Sequence, residues 1–233
     1  MIEVVFLDAG ETILHPHPSF PELFASVTER YGRPLEVEAI REVQERLAPH
    51  LVDLADETGV EDPSLSAEGS WVFWSYLYRR LLAELGVEDE NLVKELYGAF
   101  SSSASYALFD DALPAMRMLQ EAGYRLGLIS NFEEWLEEML VELEVGHLFD
   151  VSIISGLEGI EKPDPRIYEL ALERAGVAAD NAVHVGDSPA MDMEPAASVG
   201  IRGVLLDRKD RYPDRSEARI ASLKELPGLV ANL

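Results

Sequence analysis

The 233-residue sequence contains no cysteine, and this absence excludes several kinds of chemistry. A chain without thiols has no disulfide framework, no thiolate zinc site and no cysteine nucleophile. It is also typical of proteins that work in a reducing compartment.

Long hydrophobic runs are lacking as well. No stretch approaches the roughly 18–20 apolar residues of a membrane-spanning helix. Residues 1–7 are too short for a signal peptide, and they carry Glu3 where such a peptide has basic residues. We therefore expect no membrane segment and a cytoplasmic location.

Basic residues are scarce relative to acidic ones. The 19 lysines and arginines face 44 aspartates and glutamates, which gives a formal net charge of −25. Such a charge repels nucleic-acid backbones and anionic membrane surfaces, so we expect neither as a partner. An anionic substrate would need local compensation by a cation or by oriented hydrogen-bond donors.

Apolar runs that predict buried strands are present, and helical patterns separate the later ones. Strands that alternate with helices of this length predict an α/β fold with a parallel sheet covered on both faces. Two of the helical patterns are predicted to end at Gly123 and Gly146. The strand runs are "IEVVFLD" (2–8), "YRLGLIS" (124–130), "VSIIS" (151–155), "AVHVGD" (182–187) and "RGVLLD" (202–207).

Residues 15–105 interrupt this alternation, because they contain helical patterns and no convincing strand. The segments "LHPHPS" (14–19) and "SSSAS" (101–105) have the composition of connectors. The sequence therefore predicts a core domain made of residues 1–14 and 106–233, with an inserted helical domain at 15–105.

Polar residues stand at the ends of the predicted core strands. Asp8 ends the first strand, Ser130 and Asn131 end the second, and Asp187 ends the fourth. Lys162 follows the third strand. The carboxyl ends of parallel strands meet at one edge of the sheet, where ligands bind, so these residues are predicted to form one site.

The residue types at this edge suit phosphoryl transfer. Asp8 could act as a nucleophile and share a magnesium ion with Asp187, while Lys162 neutralises an anionic group. Thr12 and Ser130 supply hydroxyl donors. Backbone amides of the turn at residues 9–12 could hold phosphate oxygens. Phosphoryl transfer depends mainly on positioning and charge neutralisation, and this set provides both.

Four ordered segments resemble the motifs of the haloacid dehalogenase superfamily, in the branch with an all-helical cap inserted after the first motif. They are "DAGET" (8–12), "LISN" (128–131), "EKPDPRIY" (161–168) and "HVGDSPAMD" (184–192). The resemblance implies a Rossmann-like core, Mg²⁺ and an aspartyl-enzyme intermediate. It also implies, most commonly, phosphatase activity on a small phosphorylated substrate.

The resemblance also implies roles for individual residues. Asp8 matches the nucleophile, Thr12 and Ser130 the phosphate-binding hydroxyls, and Lys162 the charge-neutralising lysine. Asp187 and Asp192 match the acidic pair near the metal. We add Ala9, Gly10 and Asn131 as expected phosphate-binding positions, and the Gly10 carbonyl as a further expected metal ligand.

Gly10 departs from the pattern of the family's phosphatases, which usually have an aspartate two residues after the nucleophile. That aspartate protonates the leaving alcohol and later activates water, and general acid–base help of this kind is worth about 10²- to 10⁴-fold. Glu11, His15 or a cap residue could carry the proton instead. Alternatively, the substrate has a leaving group that needs no proton.

Two other functions remain open at this point. The family's 2-haloacid dehalogenases also lack the second aspartate and use no metal, but they typically have serine or asparagine where Asp187 stands. A phosphonate-cleaving relative also replaces the second aspartate but needs an imine-forming lysine from its cap. Lys94 is the sole lysine of the predicted cap, and we interpret it as a solvated helix lysine. The third possibility is a binding or regulatory protein with a vestigial site.

Overall fold

A computed structural model describes residues 1–60 and 62–233, except for the side chains of residues 49 and 51–53. The chain divides into two compact units. The core unit comprises Met1–Leu14 with Leu108–Leu233, and the inserted unit comprises His15–Ala107. That the inserted unit serves as a cap remains a prediction.

The core unit is built on a parallel sheet. Of the described strands, six form this sheet in the order β5-β4-β1-β6-β7-β8, and each pairing in it is parallel. The strands in chain order are β1 (Val4–Leu7), β2 (Leu14–Pro16), β3 (Tyr106–Leu108), β4 (Arg125–Ser130), β5 (Val151–Ile154), β6 (Ala182–Gly186), β7 (Arg202–Leu206) and β8 (Ala218–Ile220). β2 and β3 pair separately, where the chain passes between the units.

Helices account for most of the remaining described structure. The inserted unit contains α1 (Phe20–Arg30), α2 (Val37–Leu47), α3 (Leu51–Thr58), α4 (Ala67–Glu84) and α5 (Glu90–Phe100). The core unit contains α6 (Ala112–Glu121), α7 (Leu136–Glu142), α8 (Ser155–Glu158), α9 (Arg166–Ala175), α10 (Glu194–Ser198) and α11 (Leu226–Val230). A π-helical turn, Pro189–Met193, leads directly into α10. Among the described residues, no helix combines the length and the apolar character needed to cross a membrane.

The central strand β1 is buried on both of its faces. All four of its side chains are at most 1% exposed, although successive side chains of a strand point to opposite sides. Val4 and Phe6 pack with Ile167 and Tyr168 of α9 on one side. The prediction of an α/β fold, with a Rossmann-like sheet covered by helices on both faces and an inserted helical part, is confirmed.

The inserted unit has a hydrophobic core of its own. Phe24, Ile40, Tyr78 and Leu92, from four different helices, meet in one buried cluster. Three of its helices begin where a side chain accepts hydrogen bonds from free backbone amides of the first turn. These side chains are Ser19 for α1, Ser66 for α4 and Asp89 for α5.

The structure differs from the sequence prediction at its shortest elements. β8 was not predicted, because three residues at the sheet edge carry too little periodic signal. β2 lies in the predicted connector 14–19 and extends into the region predicted to lack strands, and β3 directly follows the predicted connector 101–105. A proline is compatible with such a short ribbon, because its missing N–H matters only where the sheet needs a donor.

The end of α7 was also predicted wrongly. The helix ends at Glu142, and Glu144 then adopts a left-handed conformation with φ of 59°. Gly146 instead begins a short 3₁₀ helix. The expected glycine does follow α6, since Gly123 has φ of 91° directly after the capping residue Ala122.

Asp111 connects the start of α6 to the C-terminal segment. Its carboxylate accepts hydrogen bonds from the Ser222 hydroxyl (2.6 Å) and the Leu223 amide (2.9 Å), and it pairs with Arg208. Burial alone would raise the pKa of this carboxyl. The hydrogen bonds and the Arg208 charge outweigh burial and lower the pKa from 3.8 to about 2.

We predict that Asp111→Asn destabilises the protein by about 2 kcal/mol at neutral pH, because buried donors lose a charged acceptor. A lowered folded-state pKa means that this stabilisation is complete above the unfolded-state pKa near 3.8 and is lost as pH falls towards about 2. Urea unfolding at a series of pH values should therefore show the two proteins converging below pH 4. A difference that does not depend on pH would contradict this account.

Candidate active site

The site lies at the carboxyl edge of the sheet, where β1 stands between β4 and β6. Asp8 directly follows β1, and its amide donates to the Val185 carbonyl (2.9 Å), which extends the β1–β6 pairing by one residue. Ser130 is the last residue of β4 and is buried. Asp187 directly follows β6. Parallel register therefore brings three separate segments to one crevice.

Lys162 joins two carboxylates at the centre of this crevice. Its Nζ lies 2.7 Å from Oδ1 of Asp8 and 2.6 Å from Oδ1 of Asp192. All three side chains are at most 7% exposed. Burial favours the neutral amine, but the two carboxylate charges outweigh it and raise the pKa of Lys162 well above its usual value.

The main chain of Lys162 is held by Asn131. The Asn131 side chain donates to the Lys162 carbonyl and accepts from the Lys162 amide, each at 2.7 Å. This pair of hydrogen bonds joins the end of β4 to the loop that follows α8. The Asn131 amide thus positions the lysine, whereas its predicted contact with phosphate remains a prediction.

Both carboxylate oxygens of Asp192 accept hydrogen bonds. Its Oδ1 accepts from Lys162 and from Nε2 of His184 (3.0 Å), and its Oδ2 accepts from the Ser188 amide (3.0 Å). Burial would raise the pKa of this carboxyl. The charge of Lys162 and the His184 hydrogen bond outweigh it and lower the pKa below its usual range.

His184 is itself held in place by its surroundings. It is fully buried on β6, and the ring of Tyr168 packs edge-on against it with centroids 5.1 Å apart. The Tyr168 hydroxyl donates to the Met191 carbonyl (2.6 Å), one residue before Asp192. No role is predicted from the sequence for Tyr168, which lies in the third motif, or for His184, which lies in the fourth.

Three carboxylates of the site can face one cation. Ligand atoms of Asp8, Asp187 and Asp192 lie within 4.8 Å of one another. Burial is the main cause that raises the pKa of Asp8, and burial with the neighbouring carboxylates raises that of Asp187. Buried like charges repel, and one lysine does not balance three of them. The oxygen-only donor set suits a hard cation, so these residues fit magnesium.

The turn after Asp8 is closely bonded within itself. The amides of Thr12, Ile13 and Leu14 all point to the Ala9 carbonyl, at 3.3, 2.9 and 2.8 Å. Glu11 adopts a left-handed conformation with φ of 55°. The Thr12 hydroxyl is buried and has no hydrogen-bond partner among the described residues, so it is available to a ligand.

The predicted proton carriers differ in position. Glu11 is exposed on the turn, and its charge contributes to the raised pKa of Asp187. His15 lies in the inserted unit, where its Nδ1 donates to the Pro16 carbonyl (2.8 Å). At Gly10, a Cβ atom in place of hydrogen would meet no heavy atom within 4 Å, so the space beside this residue is open.

The core unit therefore brings together most of the predicted site residues. Hydrogen bonds link Asp8, Asn131, Lys162 and Asp192, and Asp187 joins them through the carboxylate cluster. Ala9, Gly10, Glu11 and Thr12 form the adjoining turn. Their chemical roles remain proposals.

Comparison with known proteins identifies the family. A family model of haloacid dehalogenase-like hydrolases matches residues 2–200. The chain belongs to this family. This hydrolase has Asp8 after β1 and Asp187 after β6 at one edge of its sheet, and Lys162 binds Asp8 there.

Individual relatives agree with this assignment. This hydrolase is 31% identical over 235 residues to haloacid dehalogenase-like hydrolase domain-containing protein 3 of Danio rerio, in an alignment that covers 96% of this chain and 94% of that one. It is 34% identical over 171 residues to phosphoserine phosphatase of Thermus thermophilus, covering 70% and 68% of the two chains. A magnesium-bound structure of a haloacid dehalogenase (HAD) hydrolase of Bacillus subtilis has the same fold. Its TM-score is 0.73 at 19% identity, with 98% of each chain covered.

Gly186 allows Asp192 to approach the sheet. A Cβ atom at this position would overlap the carboxyl group of Asp192 and lie 2.7 Å from its Cβ. We predict that Gly186→Ala lowers the free energy of unfolding by about 1–3 kcal/mol, the usual cost of overpacking, and separates Asp192 from Lys162.

The control for this prediction is Gly98→Ala. Gly98 lies inside α5 with open space around it, so alanine there should stabilise the helix by about 1 kcal/mol. Urea unfolding of both variants measures the difference. A Gly186→Ala protein as stable as the parent would show that Asp192 has room to move.

Proposed function

We propose that this hydrolase is a magnesium-dependent phosphatase that acts on a small phosphorylated metabolite through an aspartyl-phosphate on Asp8. The observation that carries the proposal is the cluster of the Asp8, Asp187 and Asp192 carboxylates at one edge of the sheet, with Lys162 bound to Asp8 and Asp192. The similarity to a protein named phosphoserine phosphatase supports a phosphate ester as the substrate class.

In the proposed reaction, an Asp8 carboxylate oxygen attacks phosphorus, and the bond between phosphorus and the leaving oxygen breaks. Water then attacks the phosphorus of the aspartyl-phosphate, which releases inorganic phosphate and restores the Asp8 carboxylate. Lys162 neutralises charge on the phosphoryl oxygens. The hydroxyls of Thr12 and Ser130, with the amides of Ala9 and Gly10, are proposed to orient the phosphoryl group.

Magnesium is proposed to bind Asp8, Asp187 and the Gly10 carbonyl. When bound, it would supply positive charge that balances the buried carboxylates and the phosphoryl oxygens. Asp192 already accepts three hydrogen bonds, from Lys162, His184 and the Ser188 amide. We therefore assign Asp192 mainly to holding Lys162, at the border of the metal site.

A dehalogenase is the second candidate, and Gly10 is the observation that favours it, because a halide leaves without protonation. The acidic cluster weighs against it. Carbon–halogen hydrolysis without a metal has no use for Asp187, whose pKa is raised by burial beside two other carboxylates. The same unfavourable cluster argues against a vestigial site, since a protein that only binds gains nothing from retaining it.

Substitutions of Asp8 and Asp187, the two aspartates proposed to bind magnesium, test the proposal. Para-nitrophenyl phosphate and acetyl phosphate should be hydrolysed only with Mg²⁺, and Asp8→Asn should abolish turnover because an amide is not a nucleophile. Asp187→Ala should raise the Mg²⁺ concentration for half-maximal rate at least tenfold. Gly98→Ala, which lies in the inserted unit and is not among the named site residues, is the folding control.

The alternatives have separate outcomes in the same experiment. Halide release from 2-haloacids without Mg²⁺ would establish the dehalogenase instead. Folded protein that is inactive on every substrate and shows no Mg²⁺ affinity would establish a binding or regulatory function. Calorimetric titration with Mg²⁺ alone measures that affinity.

Gly10 determines which phosphate esters the proposed phosphatase can hydrolyse. With no carboxyl group at this position, esters of poor leaving groups should react slowly. The candidates to carry the proton in place of that carboxyl group are Glu11, on the same turn, and His15. Because a Cβ atom at position 10 meets no neighbour within 4 Å, an aspartate can be introduced there without overlap at its Cβ.

We predict that Gly10→Asp raises the rate on simple alkyl phosphates by about 10²- to 10⁴-fold, the usual value of general acid–base catalysis, and changes acetyl phosphate hydrolysis little. Gly10→Asn is the matched control, since it has the same size but no ionisable proton. Equal rates for the two variants would contradict the prediction. Glu11→Gln and His15→Gln, assayed on alkyl phosphates, identify any proton carrier already in use.

A further inference from the structure

The turn after Asp8 is held from outside by one distant side chain. Its internal hydrogen bonds converge on the Ala9 carbonyl, but the Thr12 carbonyl accepts from Nη2 of Arg208 (2.9 Å). Arg208 lies 196 residues later in the chain, two residues after the end of β7. The contact therefore ties the turn to the opposite half of the sheet.

Arg208 is itself fixed in orientation. Its Nη1 and Nη2 bind the two carboxylate oxygens of Asp111, both at 2.9 Å. Its guanidinium lies 3.9 Å from the ring centroid of Phe109. The side chains of Arg208 and Asp111 are 19% and 8% exposed, so water competes little for these bonds.

Phe109, whose ring packs on Arg208, also bonds the turn directly. The Phe109 amide donates to the Ile13 carbonyl (3.0 Å), next to the carbonyl that Arg208 holds. Two consecutive peptide groups of the turn are thus bound by residues 109–111 and their arginine partner. The described contacts of the Arg208 side chain are with Thr12, Asp111 and Phe109, so any effect on the reaction is indirect.

The turn needs such a hold because of its own conformation. Glu11 adopts the left-handed region that residues with a side chain avoid, and such a conformation persists only where the surrounding structure enforces it. The peptide group that follows Thr12 is the one that Arg208 fixes. The same peptide group contains the Ile13 amide, which donates to the Ala9 carbonyl, and it adjoins Thr12, whose hydroxyl is buried without a partner among the described residues.

We infer that Arg208, oriented by Asp111 and Phe109, is a positioning residue for the turn that carries Asp8 and Thr12. Its consequence for catalysis rests on the proposed function, but its consequence for the turn does not. A lysine cannot replace it, because one ammonium group cannot make the planar set of bonds to both Asp111 oxygens and the Thr12 carbonyl.

Hydrogen exchange tests the inference without any substrate. In Arg208→Lys and Arg208→Ala, amides of residues 12–14 should exchange at least tenfold faster than in the parent, while those of β4 and β6 keep their protection. Arg219→Lys is the matched control, because Arg219 pairs with Asp207 and Asp210 in the same region and does not bond the turn. Unchanged exchange at 12–14, or loss of protection throughout the sheet, would overturn the inference.

Rescue with a small cation gives a second readout. In Arg208→Ala, millimolar guanidinium should restore protection at residues 12–14, and methylammonium should not, since only the planar ion can bond both partners. On para-nitrophenyl phosphate, Arg208→Lys should lower kcat at least tenfold with KM changed less than threefold, as expected for misorientation.

These readouts separate the two proposals. Faster exchange at 12–14 with no phosphatase activity in the parent would leave the positioning role standing and overturn only the proposed function. Activity that is unaffected in a variant whose turn exchanges freely would overturn the catalytic part of the inference.

Discussion

The structure of the site depends on the bonding of one ammonium group to two buried carboxylates. Lys162 reaches Asp8 and Asp192 at 2.7 and 2.6 Å, in a place where water cannot screen them. Removing water from charged groups is unfavourable, and it is tolerated only where the partners are close and otherwise bonded. The surrounding residues meet both conditions: Asn131 fixes the lysine main chain, and His184 with the Ser188 amide saturates Asp192.

This interaction explains several local features together. Gly186 lacks a side chain, which lets Asp192 lie against β6. The π-helical turn at Pro189–Met193 presents Asp192 towards the lysine before α10 begins. Tyr168 bonds that turn through Met191 and packs on His184, so α9, β6 and the turn support the same carboxylate. The edge remains acidic after this pairing, because Lys162 binds two of the three clustered carboxylates and Asp187 is the third. A divalent cation would balance this excess of negative charge.

Much of the fold could be predicted from the sequence because the core strands are uninterrupted apolar runs, each ending in a polar residue. Asp8, Ser130 and Asp187 stand at strand ends, and parallel pairing brings such ends together whatever the intervening chain does. The features that were missed have weak local signals or depend on distant residues. β8 has three residues, Glu144 takes the conformation expected of a glycine, and the bond from Arg208 to Thr12 joins positions that no periodicity connects. In the sequence, nothing distinguishes His184 from the other residues of a buried strand, and only the structure shows its contact with Asp192.

The position of β1 also has a consequence for how the chain folds. This strand is made before the other strands of its sheet, yet it lies in the middle of that sheet, and Val4 pairs with Arg125 on one side and Ala182 on the other. The neighbouring strands β4 and β6 are therefore synthesised roughly a hundred residues or more later, after the whole inserted unit. Pairings across such long loops slow folding. Until β4 and β6 have been synthesised, β1 therefore stays unpaired and its apolar side chains stay exposed. A chaperone that shelters β1 during synthesis would shorten the period in which this strand can aggregate.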